Sequence, residues 1–422
     1  MVSDPERSGL LRLSARERPA FWATFFGWGL SGFDFMIYTL VLGTLLTVFH
    51  LTNAQGGFLG TATLVFSALG GMTAGTVSDR IGRVRTLALA VVIYSVFTFL
   101  SGLSTSFSML IVLRALEGLG FGGEWAVGSV LIAETVAARY RGRVFGLVQA
   151  AWALGWGAAV LAAVLILPNA GALGWRLMFW VGILPALLVF YIVRHVEEPP
   201  IWRDRQKDTS SRMSFLRLFS GPILRTTIFT SLLALGAMSG YYAIFTWLPT
   251  YLNLDRHLTV IGSGGYLLVV IAGSFFGYIL SGYLTDWLGR KMNFAIFSVC
   301  SGAIILLYTN FNISDTAMLA LSFPLGFFAS GIFSGFGPFL SELFPTEMRG
   351  AGQGFSYSFG RGCAAFAPLI VGALAGVYGL AGAISIFGPL TYTLCLIALL
   401  FLPETKGSDL HSLSTLGATD TD

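Results

Sequence analysis

An aspartate lies in the middle of an apolar segment near the start of the chain. Asp34 lies within GLSGFDFMIY at positions 29–38, and the segment from Phe21 to Phe49 holds no other charged residue. At the centre of a membrane helix, a charged side chain costs roughly 2.5–3.5 kcal/mol on insertion scales. A carboxyl group avoids that cost by taking up a proton, and an approaching cation favours the release of the proton. Asp34 is therefore a candidate for reversible proton binding.

Three more charged residues share one face of another apolar segment. Arg114, Glu117 and Glu124 are spaced so that their side chains lie on one side of a helix. In one interpretation, Arg114 and Glu117 form an ion pair within the helix, near its cytoplasmic end. In the other, Glu117 and Glu124 face a central cavity and Arg114 is their movable partner. We assign all three, with Asp34, to proton binding.

Arg361 is a further charged residue inside an apolar segment. A guanidinium stays charged in any protein environment, so Arg361 requires an anionic partner. That partner is either one of the carboxylates named above or the carboxylate of a bound ligand, held through two hydrogen bonds. Aromatic residues can line an apolar pocket and still donate one hydrogen bond. Those that we assign to the ligand site are Tyr241, Tyr242, Tyr357 and Trp125.

The composition indicates what surrounds these charges. The 422-residue chain has 55% hydrophobic and only 11% charged residues, and its mean hydropathy is +0.76. A soluble domain carries about 25% charged residues, so lipid must cover most of this surface. The sequence predicts an all-α membrane protein with twelve transmembrane helices. The predicted spans are about 20–49, 56–78, 86–104, 106–134, 144–168, 175–194, 223–251, 260–285, 292–310, 315–341, 351–378 and 380–402.

The basic residues predict the orientation of the helices. Most of the 25 Lys and Arg residues fall in loops on one side of the predicted membrane, and such an excess marks the cytoplasmic side. We therefore predict a multi-pass protein of the cell inner (plasma) membrane with both termini in the cytoplasm. The positive charge requires no nucleic-acid partner. Cys300, Cys363 and Cys395 are isolated from one another and from histidine, so no metal site is predicted.

The chain repeats itself after about 208 residues. GTVSDRIGR at 75–83 matches GYLTDWLGR at 282–290, and the E-x6-R pattern at 134–141 recurs at 342–349. Such a duplication predicts two pseudo-symmetric six-helix bundles around a central cavity, which is a transporter architecture. The embedded charges described above have no counterpart in the other repeat, which marks them as candidates for chemistry. The predicted units are an N-terminal bundle at 1–194, a cytoplasmic linker at 195–222, and a C-terminal bundle with a short tail at 223–422.

Charged residues at the ends of the repeated segments predict a gate. In the simpler interpretation, they set the topology and cap helices. As a gate, they would pair across the two bundles, hold the cytoplasmic side closed and separate when it opens. One partly solvated pair contributes only about 1 kcal/mol, but several pairs can bias an equilibrium between two conformations. The predicted gating residues are Asp79, Arg80, Arg83, Glu134, Arg141, Asp286, Arg290, Glu342 and Arg349.

These motifs resemble those of a known family along essentially the whole chain. GTVSDRIGRVR at 75–85 is similar to the signature that the major facilitator superfamily carries between its second and third helices. The paired E-x6-R motifs and PETKG at 403–407 resemble the sugar porters. GGEW at 122–125 and ELFPTEMRG at 342–350 are more similar to the metabolite:proton symporters. Those symporters carry sialic acid, shikimate, lactate and other small carboxylates.

The residues and the resemblance together predict a proton-coupled symporter that imports a small organic anion by alternating access. Asp34, Arg114, Glu117 and Glu124 would couple transport to protons. The proton gradient would supply the energy, so no cofactor is expected. The expected partners are the organic anion, protons and the lipid bilayer, and a monomer is expected to be sufficient.

Other functions stay open at this point. A sugar:proton symporter agrees with E-x6-R and PETKG, and a drug:proton antiporter could use the embedded acids to bind cations. A sensor with a transporter body would need a longer signalling tail than residues 403–422. An enzyme is disfavoured because the sequence has no P-loop, nucleophile elbow or metal-ligand set.

The predicted orientation gives a prediction for the linker. A cysteine in place of Ser210 should react with a membrane-impermeant maleimide only from the cytoplasmic side, in a variant that lacks the three native cysteines. The measurement compares labelling of spheroplasts with labelling of inverted membrane vesicles. Labelling in spheroplasts would contradict the whole helix assignment.

Overall fold

The described part of the chain is almost entirely helical. The computed structural model describes residues 13–51, 53–137, 140–167, 169–202, 215–254, 256, 260–310, 314–345 and 348–407. Residues 203–214 of the predicted linker, Ser210 among them, lie outside the described residues, and the predicted unit boundaries stay predictions.

The first half of the chain supplies the first six predicted spans. The sixth span is divided in two because Gly182 and Pro185 lie at its centre, and Pro185 immediately precedes its second piece. Proline lacks the backbone N–H that would continue a helix. Within the described residues the helices are α1 (Glu17–Val48), α2 (Asn53–Ile81), α3 (Arg83–Ser101), α4 (Phe107–Thr135), α5 (Arg141–Ile166), α6 (Gly174–Val181) and α7 (Ala186–His195).

The second half supplies the other six spans. The tenth span of the chain changes to a 3₁₀ helix at Ile332–Gly335 and then continues as a separate α-helix. The eleventh span of the chain is interrupted after Ala364. Within the described residues the helices are α8 (Gly221–Leu254), α9 (Val260–Leu288), α10 (Arg290–Asn310), α11 (Asp315–Gly331), α12 (Phe336–Leu343), α13 (Arg349–Ala364) and α14 (Ala367–Phe401).

The number of spans follows from length and hydropathy. Ten segments of the described residues are long and apolar enough to cross a membrane. One of them, Arg349–Phe401, has 53 residues and leaves the helical conformation at Gly379. At 1.5 Å per residue it is far too long for a single crossing of a ~30 Å core, so it contains two spans. The helix α4 has 29 residues, four of them charged, and its length is also sufficient for one crossing. Twelve spans result, and the predicted all-α membrane fold is confirmed.

The two repeats fold with the same local geometry. Ser106 and Ser314 accept a backbone hydrogen bond at the start of α4 and α11, as N-caps do. Gly82 and Gly289 each connect two spans at φ values of 111° and 105°. Only glycine adopts such a conformation without strain, so each repeat turns sharply at the same point of its motif.

The bundles meet along two pairs of helices, α2 with α13 and α5 with α9. Small residues make this approach possible. A Cβ atom added to Gly75 would collide with the backbone of Gly350, and one added to Gly146 would collide with that of Tyr278. Membrane helices gain stability from such close packing, because lipid offers no hydrophobic drive for helices to associate.

Candidate functional site

The repeated motif builds an ion-pair cluster at the end of the molecule where α2 and α9 end, which we call the basic end. Arg83 donates to both oxygens of Glu134, at 3.1 Å each, and to Asp79 at 2.7 Å. The motif holds the three residues together because Arg83 follows the turn at Gly82 directly. The guanidinium thus joins the end of α2 to the end of α4.

The second repeat forms the same cluster in the other bundle. Arg290 donates to both oxygens of Glu342, at 3.0 and 2.9 Å, and to Asp286 at 3.1 Å. The Thr405 hydroxyl, beyond the end of α14, adds a hydrogen bond of 2.7 Å to Glu342. Sequence motifs that repeat therefore perform the same structural task twice.

Two further arginines connect the clusters across the bundles. Arg141 at the start of α5 donates to Glu342 at 2.7 Å, and Arg349 at the start of α13 donates to Glu134 at 3.2 Å. Each glutamate therefore binds one arginine from its own bundle and one from the other. The structure brings the predicted E-x6-R residues together in this way.

The aspartates of the motif add a second type of contact between the bundles. Asp79 accepts a hydrogen bond of 3.0 Å from the backbone N–H of Ala351 at the start of α13. Asp286 accepts bonds of 3.0 Å from the N–H groups of Gly142 and Arg143 at the start of α5. A helix N-terminus carries partial positive charge, so each carboxylate also stabilises the helix dipole of the other bundle.

Burial changes the expected strength of these pairs. We predicted partly solvated pairs, but the side chains of Arg349 and Glu134 are 0% exposed. Removal of one partner from a buried pair costs about 3–5 kcal/mol, because a charge is left without compensation. Removal of one charge from the network should therefore cost more than the sequence suggested. Arg80 differs from the others, since it is exposed at the same end.

Two glutamates of this end were missed as site residues. Glu198, after α7, accepts bonds of 2.8 and 3.0 Å from the N–H groups of Arg83 and Val84. Glu404, after α14, accepts bonds of 2.9 and 3.0 Å from the N–H groups at the start of α10. The signal that could have identified them is an acidic residue just after the last helix of each repeat. Both hold the turn of their motif in place.

The embedded charges of α1 and α4 form a separate, fully buried cluster. Thr98 of α3 donates a hydrogen bond of 2.6 Å to Asp34, whose carboxyl group is near enough to Glu117 to interact with it electrostatically. The Arg114 guanidinium lies 3.5 Å from Glu117 and 5.3 Å from the centre of the Tyr38 ring. Two carboxyl groups and one guanidinium are neutral in sum when the carboxyl groups hold one proton between them.

The location of this cluster corrects one expectation. We placed the Arg114–Glu117 pair near the cytoplasmic end of its helix. Arg114 instead lies 20 residues before Glu134 on α4, about 30 Å along the helix axis, and so in the half far from the basic end. The expectation was inconsistent with the predicted orientation, in which the fourth span begins on the outer side. The Arg114–Glu117 pair itself is present at 3.5 Å, far from the contacts of the basic end.

Glu124 lies apart from that cluster, at a small cavity between α1, α4 and α5. Its side chain is 0% exposed, and Ser31 of α1 donates to its Oε2 at 3.2 Å. Its Oε1 has no hydrogen-bond partner among the described residues. Trp28, Trp125 and other residues of the N-terminal bundle line the rest of the cavity, which has room for about one water molecule.

Arg361 of α13 lies against the aromatic residues on the other side of this region. Its guanidinium is 5.0 Å from the ring centres of both Phe121 and Tyr357. Tyr357 stacks on Trp125 of the other bundle, with ring centres 3.3 Å apart. Among the described residues, no carboxylate lies within 4.0 Å of Arg361, although Glu124 is close enough to interact with it electrostatically.

The two predicted tyrosines of α8 have different surroundings. Tyr242 lies within electrostatic range of Arg361. Tyr241 packs edge-on against Phe245 and Phe333, with ring centres 4.5 and 5.3 Å away. Of these two tyrosines, Tyr242 is therefore the one that interacts with the buried Arg361.

Comparison with known proteins agrees with this geometry. Residues 24–313 and 288–415 match the model of the Major Facilitator Superfamily. The chain is 38% identical over 411 residues to the "Probable 4-methylmuconolactone transporter" of Cupriavidus pinatubonensis. The alignment covers 96% of this chain and 95% of the relative. It is 30% identical over 394 residues to the "Cis,cis-muconate transport protein" of Acinetobacter baylyi, covering 92% and 94% of the two chains.

A solved structure shows the same fold. The proton:xylose symporter XylE, bound to 6-bromo-6-deoxy-D-glucose, superposes with a TM-score of 0.79 at 20% identity, covering 95% of this chain and 99% of that one. The chain belongs to the Major Facilitator Superfamily. It is a multi-pass membrane transporter of small metabolites and not an enzyme, and the recognition of the family from its motifs is confirmed.

The cross-bundle pairs yield a prediction for the gate. Arg349→Gln should increase the population open at the basic end by tenfold or more, because part of the ~3–5 kcal/mol lost from the buried pair weakens only the closed conformation. The measurement is the distance distribution between spin labels at Arg85 and Met292, on exposed sites of the two bundles at this end. Ligand affinity should change by less than the tenfold change expected in the open population.

Arg256→Gln is the matched control for that experiment. Arg256 pairs at 3.5 Å with Asp315, whose side chain is 66% exposed, and an exposed pair contributes little. This variant should leave the distances unchanged. An Arg349→Gln variant with unchanged distances but altered chemical selectivity would contradict the gate.

Proposed function

We propose that this transporter imports a small, flat organic anion together with protons, by alternating exposure of a central site. The observation that carries the proposal is Arg361, a buried guanidinium with no carboxylate within 4.0 Å among the described residues. A permanent charge in an apolar interior requires an anion. A substrate carboxylate supplies that anion, and the planar guanidinium can bind it through two parallel hydrogen bonds.

The aromatic residues around Arg361 support a flat substrate. Phe121 and Tyr357 present rings to the guanidinium, and Trp125 stacks on Tyr357. Such rings favour contact with planar, unsaturated groups. The names of the two relatives point to the same chemistry, since muconate and methylmuconolactone are small unsaturated carboxylates. For this chain we therefore propose a small unsaturated or aromatic carboxylate.

The cluster of Asp34, Glu117 and Arg114 supports proton coupling. Its charges balance when one proton is shared between the two carboxyl groups, and movement of Arg114 towards or away from them would change their proton affinity. We propose that this cluster takes up a proton when the site faces outwards and releases it when the site faces inwards. Asp34 lies at the centre of α1 and is held by Thr98, so it is our first candidate for the transported proton.

The positions of the basic residues support an orientation. We propose that the basic end faces the cytoplasm, that both termini lie there, and that the protein resides in the inner membrane. Ion pairs and hydrogen bonds join the two bundles at the basic end, and we propose that they hold it closed. In a transporter built from two repeats, rocking of one bundle against the other would open it. We propose the monomer as the transporting unit, because a central site between two bundles is complete in one chain.

A sugar symporter is the second candidate, supported by the PETKG segment and the E-x6-R pairs. These residues lie in the gate, however, where they contact helix ends and each other. A neutral sugar needs neutral hydrogen-bonding groups, and it offers no negative charge for the Arg361 guanidinium to bind directly. The buried arginine therefore favours an anion.

Substitution of Arg361 tests the substrate class. Arg361→Ala should weaken binding of 4-methylmuconolactone or cis,cis-muconate by roughly 2–5 kcal/mol, because the carboxylate is left unpaired. Arg361→Lys should recover little of this, since an ammonium cannot provide two parallel donors. Calorimetry on the purified protein measures both. The amides of the same compounds are the control, and they should lose little affinity. Equal losses for acid and amide would contradict the proposal and favour the sugar symporter.

Asp34→Asn tests proton coupling. The neutral amide mimics the protonated acid, so the variant should exchange substrate between loaded compartments but should not accumulate it against a gradient. Uptake into proteoliposomes with and without an imposed pH gradient measures this. Asp315→Asn, which changes an exposed carboxylate, is the control and should accumulate substrate normally. Accumulation by Asp34→Asn would show that another carboxyl group carries the proton.

A further inference from the structure

Glu124 and Arg361 share one buried region without touching. Glu124 lies three residues after Phe121 on α4, and the Phe121 ring is 5.0 Å from the Arg361 guanidinium. Glu124 interacts with Arg361 electrostatically, yet no carboxylate of the described residues lies within 4.0 Å of the guanidinium. One oxygen of Glu124 also lacks a hydrogen-bond partner there. Opposite charges are therefore separated by a gap of more than 4.0 Å, and the small cavity borders this gap on the Glu124 side.

The balance of charge in this gap depends on whether an anion is bound. In the empty site, ionised Glu124 and Arg361 compensate each other. When a substrate carboxylate binds Arg361, an ionised Glu124 would add a second negative charge at short range in a medium of low dielectric constant. One proton on Glu124 restores neutrality. Both the empty and the loaded site are then neutral, which is what an apolar interior requires.

We infer that Glu124 is a second proton-binding group, and that binding of the substrate anion at Arg361 causes Glu124 to take up a proton. This inference rests on the proposed function, since it requires a carboxylate substrate. It assigns a direct role in substrate binding to Glu124, distinct from that of Asp34.

The other groups around Glu124 support this assignment. From α1, Ser31 donates its hydroxyl to Glu124. From α3, Tyr94 lies near enough to interact with Glu124, and a phenol stays neutral at ordinary pH. On its own helix, the nearest charged group is Glu117, which Arg114 compensates at 3.5 Å. Arg361, from α13, is the cation that acts on Glu124.

Asp34 is not placed to sense the substrate directly. It packs against Thr98 of α3 and beside Gly182, at the break between α6 and α7. The charged groups that act on Asp34 are Glu117 and Arg114, whereas Arg361 acts on Glu124. An anion bound at Arg361 therefore changes the electrostatic surroundings of Glu124 directly. With one proton at each site, a monovalent anion would enter with two protons and one net positive charge.

The test is proton uptake on binding, with 4-methylmuconolactone as the probe because it carries one carboxylate. Calorimetry of the purified transporter in buffers of different ionisation enthalpy gives the number of protons bound per ligand. Since the loaded protein holds one more proton than the empty one, affinity should rise as pH falls, by up to tenfold per pH unit. Glu124→Gln should bind the ligand with no proton uptake and at an affinity independent of pH.

Asp34→Asn separates the two carboxyl groups. This variant should lose accumulation but should still take up a proton when it binds the ligand. Loss of that uptake in Asp34→Asn would assign the proton to Asp34 and overturn the inference, even if Glu124→Gln failed to fold. Wild-type binding without proton uptake would overturn the inference and leave the proposed function intact. No binding of any carboxylate by the wild type would overturn both.

Discussion

The cost of an uncompensated charge in an apolar interior determines how this protein is built. Every buried arginine of the gate binds carboxylates, and each glutamate there binds arginines from both bundles. In the half far from the gate, Arg114 pairs with Glu117 at 3.5 Å, so one guanidinium serves two carboxyl groups, those of Glu117 and Asp34. Arg361 is the exception, since the described residues provide it with aromatic rings but no adjacent carboxylate. Its missing partner defines the proposed substrate.

Repetition separates structure from chemistry in this chain. The motif around Gly82 and its counterpart around Gly289 form the same turns, the same ion pairs and the same contacts with helix ends. They join the two bundles at one end, and both halves supply the contacts. The buried charges that have no counterpart in the other repeat lie further from this end. They are found along the contact between α1 and α4 and at Arg361. An asymmetric substrate and a proton require residues that are not repeated.

The fold could be predicted largely from the sequence, because apolar segments of membrane-spanning length are themselves the helices. The breaks were not predicted, although the proline at Pro185 is a sequence signal for the first of them. Ile332–Gly335 contains no proline, so the sequence offers no such signal there. Among site residues, the repeated motif indicated which charges belong together. The sequence could not show that Glu198 holds the turn at Gly82, or that Phe121 faces Arg361, because these contacts join distant parts of the chain.

Co-transport of protons with a carboxylate is the central claim, and one measurement tests it most directly. Proteoliposomes containing the purified protein, with no imposed gradient, are given a series of small carboxylates while external pH is recorded. The account predicts that an unsaturated carboxylate such as 4-methylmuconolactone makes the external medium alkaline, as protons enter with the anion. Its amide and a neutral sugar should cause no change. Alkalinisation by the sugar but not by any carboxylate would contradict the account.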